Sequence, residues 1–389
     1  MNTFGDILLT AVAGVTLLAA PTSPGIRGGA QPGGRLADLA AAGLPHQYAA
    51  LAERSGSVAN GFRSKLVIRD MATGRTMATR IASRPANSFC DLTGTPDGRT
   101  FVAEACKVTV TPLDGGLEVV TRPVRFCRLT VDGQGRVGRL RPLRIPVPSI
   151  VSMDGATVSP GGRKLAVASA GGHDADLARN PAIRLYNLST GRLLRTWRWA
   201  GRADIIGRNG IDDGSIDPLS WTADGRTIAF PLMTGPEQEK TQVRLLEVAA
   251  PGSNLRRSRP VVNLGTGPGF FEEGFSGELD GPDSMITPDG SRVVASTATE
   301  AGTGPNSTTR LTVSEFSVRT GARVAVLHSV TSADSPFFYL QVLWSSPDGR
   351  AVIAVGGKGY GLAKPIDIMT GGGFTPLPGE TDRIDQLAF

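Results

Sequence analysis

Lysine is scarce in this 389-residue chain: of its 41 basic residues only 6 are Lys, and the rest are Arg. The arginines are scattered, with Arg256, Arg257 and Arg259 the nearest approach to a cluster. The net charge of +6 therefore describes a solvated surface rather than the basic stripe that a nucleic-acid binder carries. Cysteine and histidine are equally thin, three of each: Cys90, Cys106 and Cys127, and His46, His173 and His328. No Cys-x-x-Cys spacing occurs, and so few ligands so far apart exclude a zinc module. Three cysteines allow one disulfide and one free thiol in an oxidising compartment, or three buried thiols acting as small apolar side chains. No apolar run reaches the ~20 residues of a membrane-spanning helix.

The motifs of several catalytic classes are missing too. There is no Gly-x-Ser-x-Gly elbow, and Gly274-Phe275-Ser276-Gly277 lacks the second glycine position. Gly356-Gly357-Lys358-Gly359-Tyr360-Gly361 does not have the spacing of a phosphate-binding loop. A Ser-His-Asp triad would have to draw its base from three histidines. Paired carboxylates for glycoside chemistry would converge from distant segments, so the sequence does not test them.

What is abundant is punctuation. The chain has 50 Gly and 27 Pro, with hydrophobic residues at 40% dispersed in short runs, the composition of many short strands joined by tight turns. At the start, Ile7 to Ala20 is an uncharged, mostly apolar run. Residues 1–20 are read as a signal peptide or membrane anchor, although Asp6 and the lack of Lys or Arg make a poor leading segment and Pro21 a poor cleavage site. Residues 21–43 read as a flexible linker. The expected location is extracytoplasmic, secreted or membrane-anchored.

One turn recurs five times: Thr95-Pro96-Asp97-Gly98-Arg99, Ser159-Pro160-Gly161-Gly162-Arg163, Thr222-Ala223-Asp224-Gly225-Arg226, Thr287-Pro288-Asp289-Gly290-Ser291 and Ser346-Pro347-Asp348-Gly349-Arg350. Proline presets φ, Asp caps the turn, and the last Gly supplies positive φ. A second turn recurs six times, as Ala72-Thr73-Gly74-Arg75, Asp132-Gly133-Gln134-Gly135, Ser189-Thr190-Gly191-Arg192, Pro251-Gly252-Ser253-Asn254, Arg319-Thr320-Gly321-Ala322 and Met369-Thr370-Gly371-Gly372. In four-stranded blades the first turn joins strands A and B, and the second joins C and D. Six of one against five of the other leaves the first blade without a strand A, which the C-terminal Ile384-Asp385-Gln386-Leu387-Ala388-Phe389 supplies. The expected fold is all-β: a six-bladed β-propeller of four-stranded antiparallel blades over residues 44–389, closed by pairing the C-terminal strand into the first blade.

The Ser/Thr-Pro-Asp-Gly-Arg and Thr-Gly pattern resembles the WD-repeat-like and TolB-type propellers of bacteria. Leu44-Pro45-His46-Gln47-Tyr48, Leu219 to Thr227 and Ala388-Phe389 resemble high-GC bacterial members, which are often membrane-tethered. The resemblance covers roughly residues 44–389. It departs from eukaryotic WD repeats, because Trp-Asp is absent and Tyr186-Asn187 and Arg69-Asp70 stand in its slot; the hydrogen-bonded tetrad of those repeats is not carried over. The pattern speaks for fold more than for function.

The regular turns mark one face as structural, and the insertions fall on the other: 170–182 and 297–309 between strands B and C, and 199–215, 265–281 and 328–338 between D and A. One insertion reverses the chain's charge. Phe270, Phe271, Glu272, Glu273, Phe275, Glu278, Asp280 and Asp283 put five carboxylates and three aromatics in a stretch without Lys or Arg. It is the candidate binding loop, suited to a basic partner or to Ca²⁺, although its spacing matches no known calcium loop and a solvated loop with inward phenylalanines explains it equally. The expected function is a non-catalytic, monomeric binding or scaffold module without a cofactor. Its partner would be a protein or peptide, nucleic acid is not expected, and the membrane is met only through the N-terminal segment. A propeller hydrolase or lyase with a carboxylate-lined central pocket, or an envelope-assembly component resembling TolB, is the competing expectation.

Overall fold

The computed structural model describes residues 44–54, 63–113, 116–146, 155–169, 182–199, 218–234, 240–265, 284–301, 308–331, 339–346, 352–357, 367–370, 373–379 and 384–389. The N-terminal segment 1–20 and the linker 21–43 lie outside them. Among the described residues no α-helix occurs, one 3-10 turn spans Leu255–Arg257, and no helix is long and apolar enough to cross a membrane.

The fold is a β-propeller of four-stranded antiparallel blades. The described strands form six four-stranded sheets. In order from strand A to D, sheet 1 is Ile384–Ala388, Gln47–Arg54, Arg63–Asp70 and Thr76–Arg80; sheet 2 is Ser88–Gly94, Thr100–Leu113, Gly116–Thr130 and Arg141–Pro142. Sheet 3 is Ala156–Val158, Lys164–Ser169, Ala182–Asn187 and Leu193–Arg198; sheet 4 is Ser220–Trp221, Thr227–Thr234, Lys240–Glu247 and Arg259–Gly265. Sheet 5 is Ser284–Ile286, Arg292–Ala301, Thr308–Ser317 and Arg323–Thr331; sheet 6 is Tyr339–Ser345, Val352–Gly357, Asp367–Thr370 and Gly373–Pro376. The C-terminal strand pairs antiparallel with Gln47–Arg54, with Leu387 opposite Ala50.

The strands sit in this way because both faces of the inner ones are apolar. Along Gln47–Arg54, Tyr48, Ala50 and Ala52 join a cluster with Trp344 and Ile353 of sheet 6, while Ala49 and Leu51 join one with Phe89 and Phe101 of sheet 2. A period of two sends alternate side chains to opposite faces, and here both sets meet protein. The same alternation runs through the other sheets: Val102 and Phe126 meet Leu165 and Val167; Ala166 and Ile183 meet Ile228 and Phe230; Ala229 and Val243 meet Val293 and Ala295; Val294 and Val313 meet Val352 and Ala354. Each cluster lies between two successive sheets, and the one containing Trp344, Tyr48 and Phe389 joins the last sheet to the first.

The recurring turns are built alike. Thr95 Oγ1 donates to Asp97 Oδ1 at 2.5 Å, Thr222 to Asp224 at 2.7 Å and Thr287 to Asp289 at 2.6 Å. The same hydroxyls accept the backbone N–H five residues on, as Thr100 N to Thr95 Oγ1 at 3.0 Å. Gly98 has φ +64°, and a Cβ there would stand 2.7 Å from Gln47 O; only glycine suits both demands. In the second turns Asp70 and Asn187, the residues standing where WD repeats carry Asp, accept from Thr73 N and Thr190 N. Their chemistry is that of turn caps.

Two sequence expectations are corrected. Residues 297–301 and 328–331, assigned to insertions, continue the strands Arg292–Ala301 and Arg323–Thr331, because the β-branched Thr297, Thr299, Val330 and Thr331 extend a ladder as well as they decorate a loop. The chain also carries a long hairpin that the turn count did not single out, Thr100–Leu113 with Gly116–Thr130.

Replacing Phe230, fully buried between sheets 3 and 4, by Ala should lower the unfolding free energy by about 3–5 kcal/mol. Leu193→Ala, at a position 49% exposed on an outer strand, should change it by less than about 0.5 kcal/mol. Denaturant melts of the two variants check both values.

Candidate functional site

The innermost strands of all six sheets line one axial channel holding about 270 Å³ of space accessible to water. Strand A of sheet 2 contributes Cys90 and Asp91, and Asp91 is the one charged side chain among the described lining residues. Its placement depends on an irregularity in the ladder. Phe89 pairs with Ala105 and Asp91 with Glu104, leaving Cys90 as an extra residue. Such a bulge breaks the strict alternation of faces, and here it sets Asp91 opposite Glu104 in the ladder.

Behind them sits Glu104, 3% exposed. The Cys90 thiol lies 3.8 Å from both the Glu104 backbone oxygen and its Oε1, as a weak donor. Asp91 Oδ1 accepts from Leu92 N at 2.7 Å. Burial, with the Asp91 charge as a second cause, pushes the Glu104 carboxyl up to about 8, and the Cys90 hydrogen bond pulls weakly the other way. Glu104 is therefore the carboxyl of the two whose proton is held more tightly than usual. The Cys90 thiol is raised far above the usual range, first by its hydrogen bond with the Cys106 thiol and then by burial and the charges of Glu104 and Asp91. A thiol held protonated is a poor nucleophile. All three cysteines are free, and Cys106 and Cys127 are buried; burial also raises Cys127.

Phe270, Phe271, Glu272, Glu273, Phe275, Glu278, Asp280 and Asp283 lie outside the described residues. Among the described residues no group of His, Cys, Asp and Glu could hold a metal ion. The Asp91–Glu104 pair was missed. A signal for the channel strands did exist: four or five residues before the Ser or Thr of the first turn stands an aspartate, as Asp91, Asp154, Asp217 and Asp283. The last three lie outside the described residues. Glu104 has no comparable signal, because it enters through a cross-strand register that a bulge shifts.

No family model matches the chain, and no curated protein matches it. Among solved structures it is similar to the periplasmic gluconolactonase of Pseudomonas aeruginosa, at 14% identity over 88% of this chain and 98% of that one, with a TM-score of 0.43. It is also similar to a Bacteroides uniformis protein assigned as a 6-phosphogluconolactonase, at 11% identity, 88% and 98% coverage and a TM-score of 0.39. Hydrazine synthase of Kuenenia stuttgartiensis follows at 16% identity, 79% and 70% coverage and a TM-score of 0.42. At these identities the likeness is one of fold. The expectation of a non-catalytic binding or scaffold module is corrected to this extent: the gluconolactonase and the hydrazine synthase among these structures are named as enzymes, a likeness of fold that assigns no activity to this chain.

The raised Glu104 has a consequence for stability. Its carboxyl binds a proton more tightly in the folded state, from an ordinary 4.5 up to about 8, so folding is favoured below pH 4.5 and this advantage is lost as pH rises through 8. Glu104→Gln should match the wild type at pH 4 and exceed it at pH 9, by up to ~4 kcal/mol. Urea melts at the two pH values measure the difference.

Proposed function

We propose that this chain is a propeller hydrolase that opens a small ester or lactone in the axial channel, with Asp91 as general base. The observation that carries the reading is Asp91 in the channel wall with Glu104 buried behind it, the Glu104 carboxyl pushed up to about 8 by burial and the Asp91 charge. Asp91 takes a proton from a water molecule as its oxygen bonds to the acyl carbon. The carbon–oxygen bond to the leaving group then breaks, and the proton passes from Asp91 to the departing alkoxide, giving acid and alcohol. Esters and lactones fit because a single base suffices for them, and the protonated Cys90 supplies no competing nucleophile. Glu104 does not line the channel. It is a positioning residue whose neutral form keeps a second negative charge away from the developing oxyanion.

The same reading treats the six sheets as six blades of one closed ring. Six inter-sheet clusters in cyclic order support it, together with a single channel lined from every sheet. The resemblance to WD-repeat-like and TolB-type propellers, and an extracytoplasmic location, belong to this proposal.

Asp91→Asn should lower hydrolysis of glucono-1,5-lactone and p-nitrophenyl acetate by about 10²–10⁴-fold, followed by pH-stat and absorbance. Wild-type rates should fall above pH 8 as Glu104 ionises, and Glu104→Gln should remove that limb while keeping most of the rate. Turnover of neither compound, or an Asp91→Asn variant as active as the parent, would defeat the reading. Truncation of residues 384–389 should abolish the cooperative unfolding transition, and a truncated chain melting like the full one would refute ring closure.

A further inference from the structure

The bulge at Cys90 has a second effect, on the cysteines. In an unbroken ladder the pairs Ser88–Cys106 and Phe89–Ala105 would be followed by Cys90 opposite Glu104. Cys90 and Cys106 would then lie on one diagonal, about 7–8 Å apart, beyond the usual span of a disulfide. Instead Asp91 stands opposite Glu104, so Cys90 slips along its strand toward Cys106. Phe89 and Leu92 both join the cluster toward sheet 1, as do Ala103 and Ala105. Cys90, Glu104 and Cys106 are thereby left to the other face. There the Cys90 thiol meets two oxygens of Glu104 at 3.8 Å and is hydrogen-bonded to the Cys106 thiol. Cys127 belongs to the sheet 1 cluster and so faces away from both.

We propose that Cys90 and Cys106 are a redox pair that closes to a disulfide on exposure to a small disulfide oxidant, while Cys127 stays free. Cys90 is only partly buried and Cys106 is buried, which sets the order of events. The Cys90 sulfur, as its thiolate, attacks one sulfur of the oxidant and releases a first thiol. Cys106 then gives up its proton and attacks the Cys90 sulfur of the mixed disulfide, expelling the second. Two cysteine thiols are oxidised, one disulfide is reduced to two thiols, and both protons leave with those products. The second step joins sulfurs that are already neighbours, which favours it over a lasting mixed disulfide. The product also suits its surroundings: beside Asp91 and Glu104 a thiol is held protonated, whereas a disulfide has no proton to hold. This redox step goes beyond the hydrolase reading and does not depend on it.

The test incubates the full chain, one sample folded and one refolded from urea, with millimolar oxidised glutathione. Free thiols are counted with a maleimide after denaturation. The raised Cys90 thiol slows the first step, and an incubation at pH 8.5 offsets this. Three free thiols should fall to one, peptide mass mapping should show the Cys90–Cys106 link, and dithiothreitol should restore all three. Cys90→Ala and Cys106→Ala should each leave the two remaining cysteines unlinked to one another, and Cys127→Ala should form the same link as the parent. Absence of the link from both samples, glutathione retained on Cys90 beside a free Cys106, or a link through Cys127 as the main product would overturn the proposal.

Discussion

Among the described residues the inner strands bury apolar side chains on both faces, and the rest of the architecture follows from that constraint. A sheet with one apolar face can rest on a single partner; a sheet with two needs a neighbour on each side. Sheet 1 buries Tyr48 and Ala50 against sheet 6 and Ala49 and Leu51 against sheet 2, and the other sheets repeat the arrangement. Stacked end to end, such sheets would leave two apolar faces open to water, at about 25 cal/mol for each Å². The cluster of Trp344, Tyr48, Leu387 and Phe389 covers both at once. Polar ties fix the stacking where apolar contact is indifferent to angle: Gln47 Nε2 donates to Gly98 O at 2.7 Å, Ala223 N to Pro288 O at 2.7 Å, and Ser64 N to Ser88 Oγ at 2.8 Å.

The channel is a by-product of that stacking. Six innermost strands that converge on an axis cannot all touch, so the space between them is lined by whatever the strand edges present. Most of those positions are small or apolar, such as Gly94, Ala156 and Leu219. The exceptions are informative because stability does not ask for them. Glu104, buried behind Asp91, costs stability above pH 4.5 where a leucine would not, and among the described residues Ser345 Oγ and Gln386 Oε1 have no hydrogen-bond partner. Departures from a self-consistent fold that gather at one place are where function is expected.

The fold was legible in the sequence because its signals are local. Thr222, Asp224 and Gly225 spell a turn within three residues, and the structure spends each as chemistry predicts: hydroxyl to carboxylate, and glycine at φ +64°. The pairing of Ile384–Ala388 with Gln47–Arg54 followed from counting such turns. The site was not legible, since it depends on long-range register. Asp91 and Glu104 are thirteen positions apart in a chain with 35 acidic residues, and only the extra residue at Cys90 sets them together. The sequence drew attention instead to the acidic loop from Phe270 to Asp283, whose composition is conspicuous. Composition marks a segment as unusual; it does not say what faces it.

The central claim is that Glu104, buried behind Asp91 of the channel wall, holds its proton far more tightly than an ordinary carboxyl, and the most direct measurement is the titration of Glu104 itself. Carboxyl-labelled glutamate, followed by ¹³C NMR and assigned by loss of one resonance in Glu104→Gln, reports it without a substrate. The account predicts one glutamate with a midpoint near 8, moving downward when Asp91 is replaced by Asn. A Glu104 titrating at the ordinary 4.5, unmoved by that replacement, would contradict it.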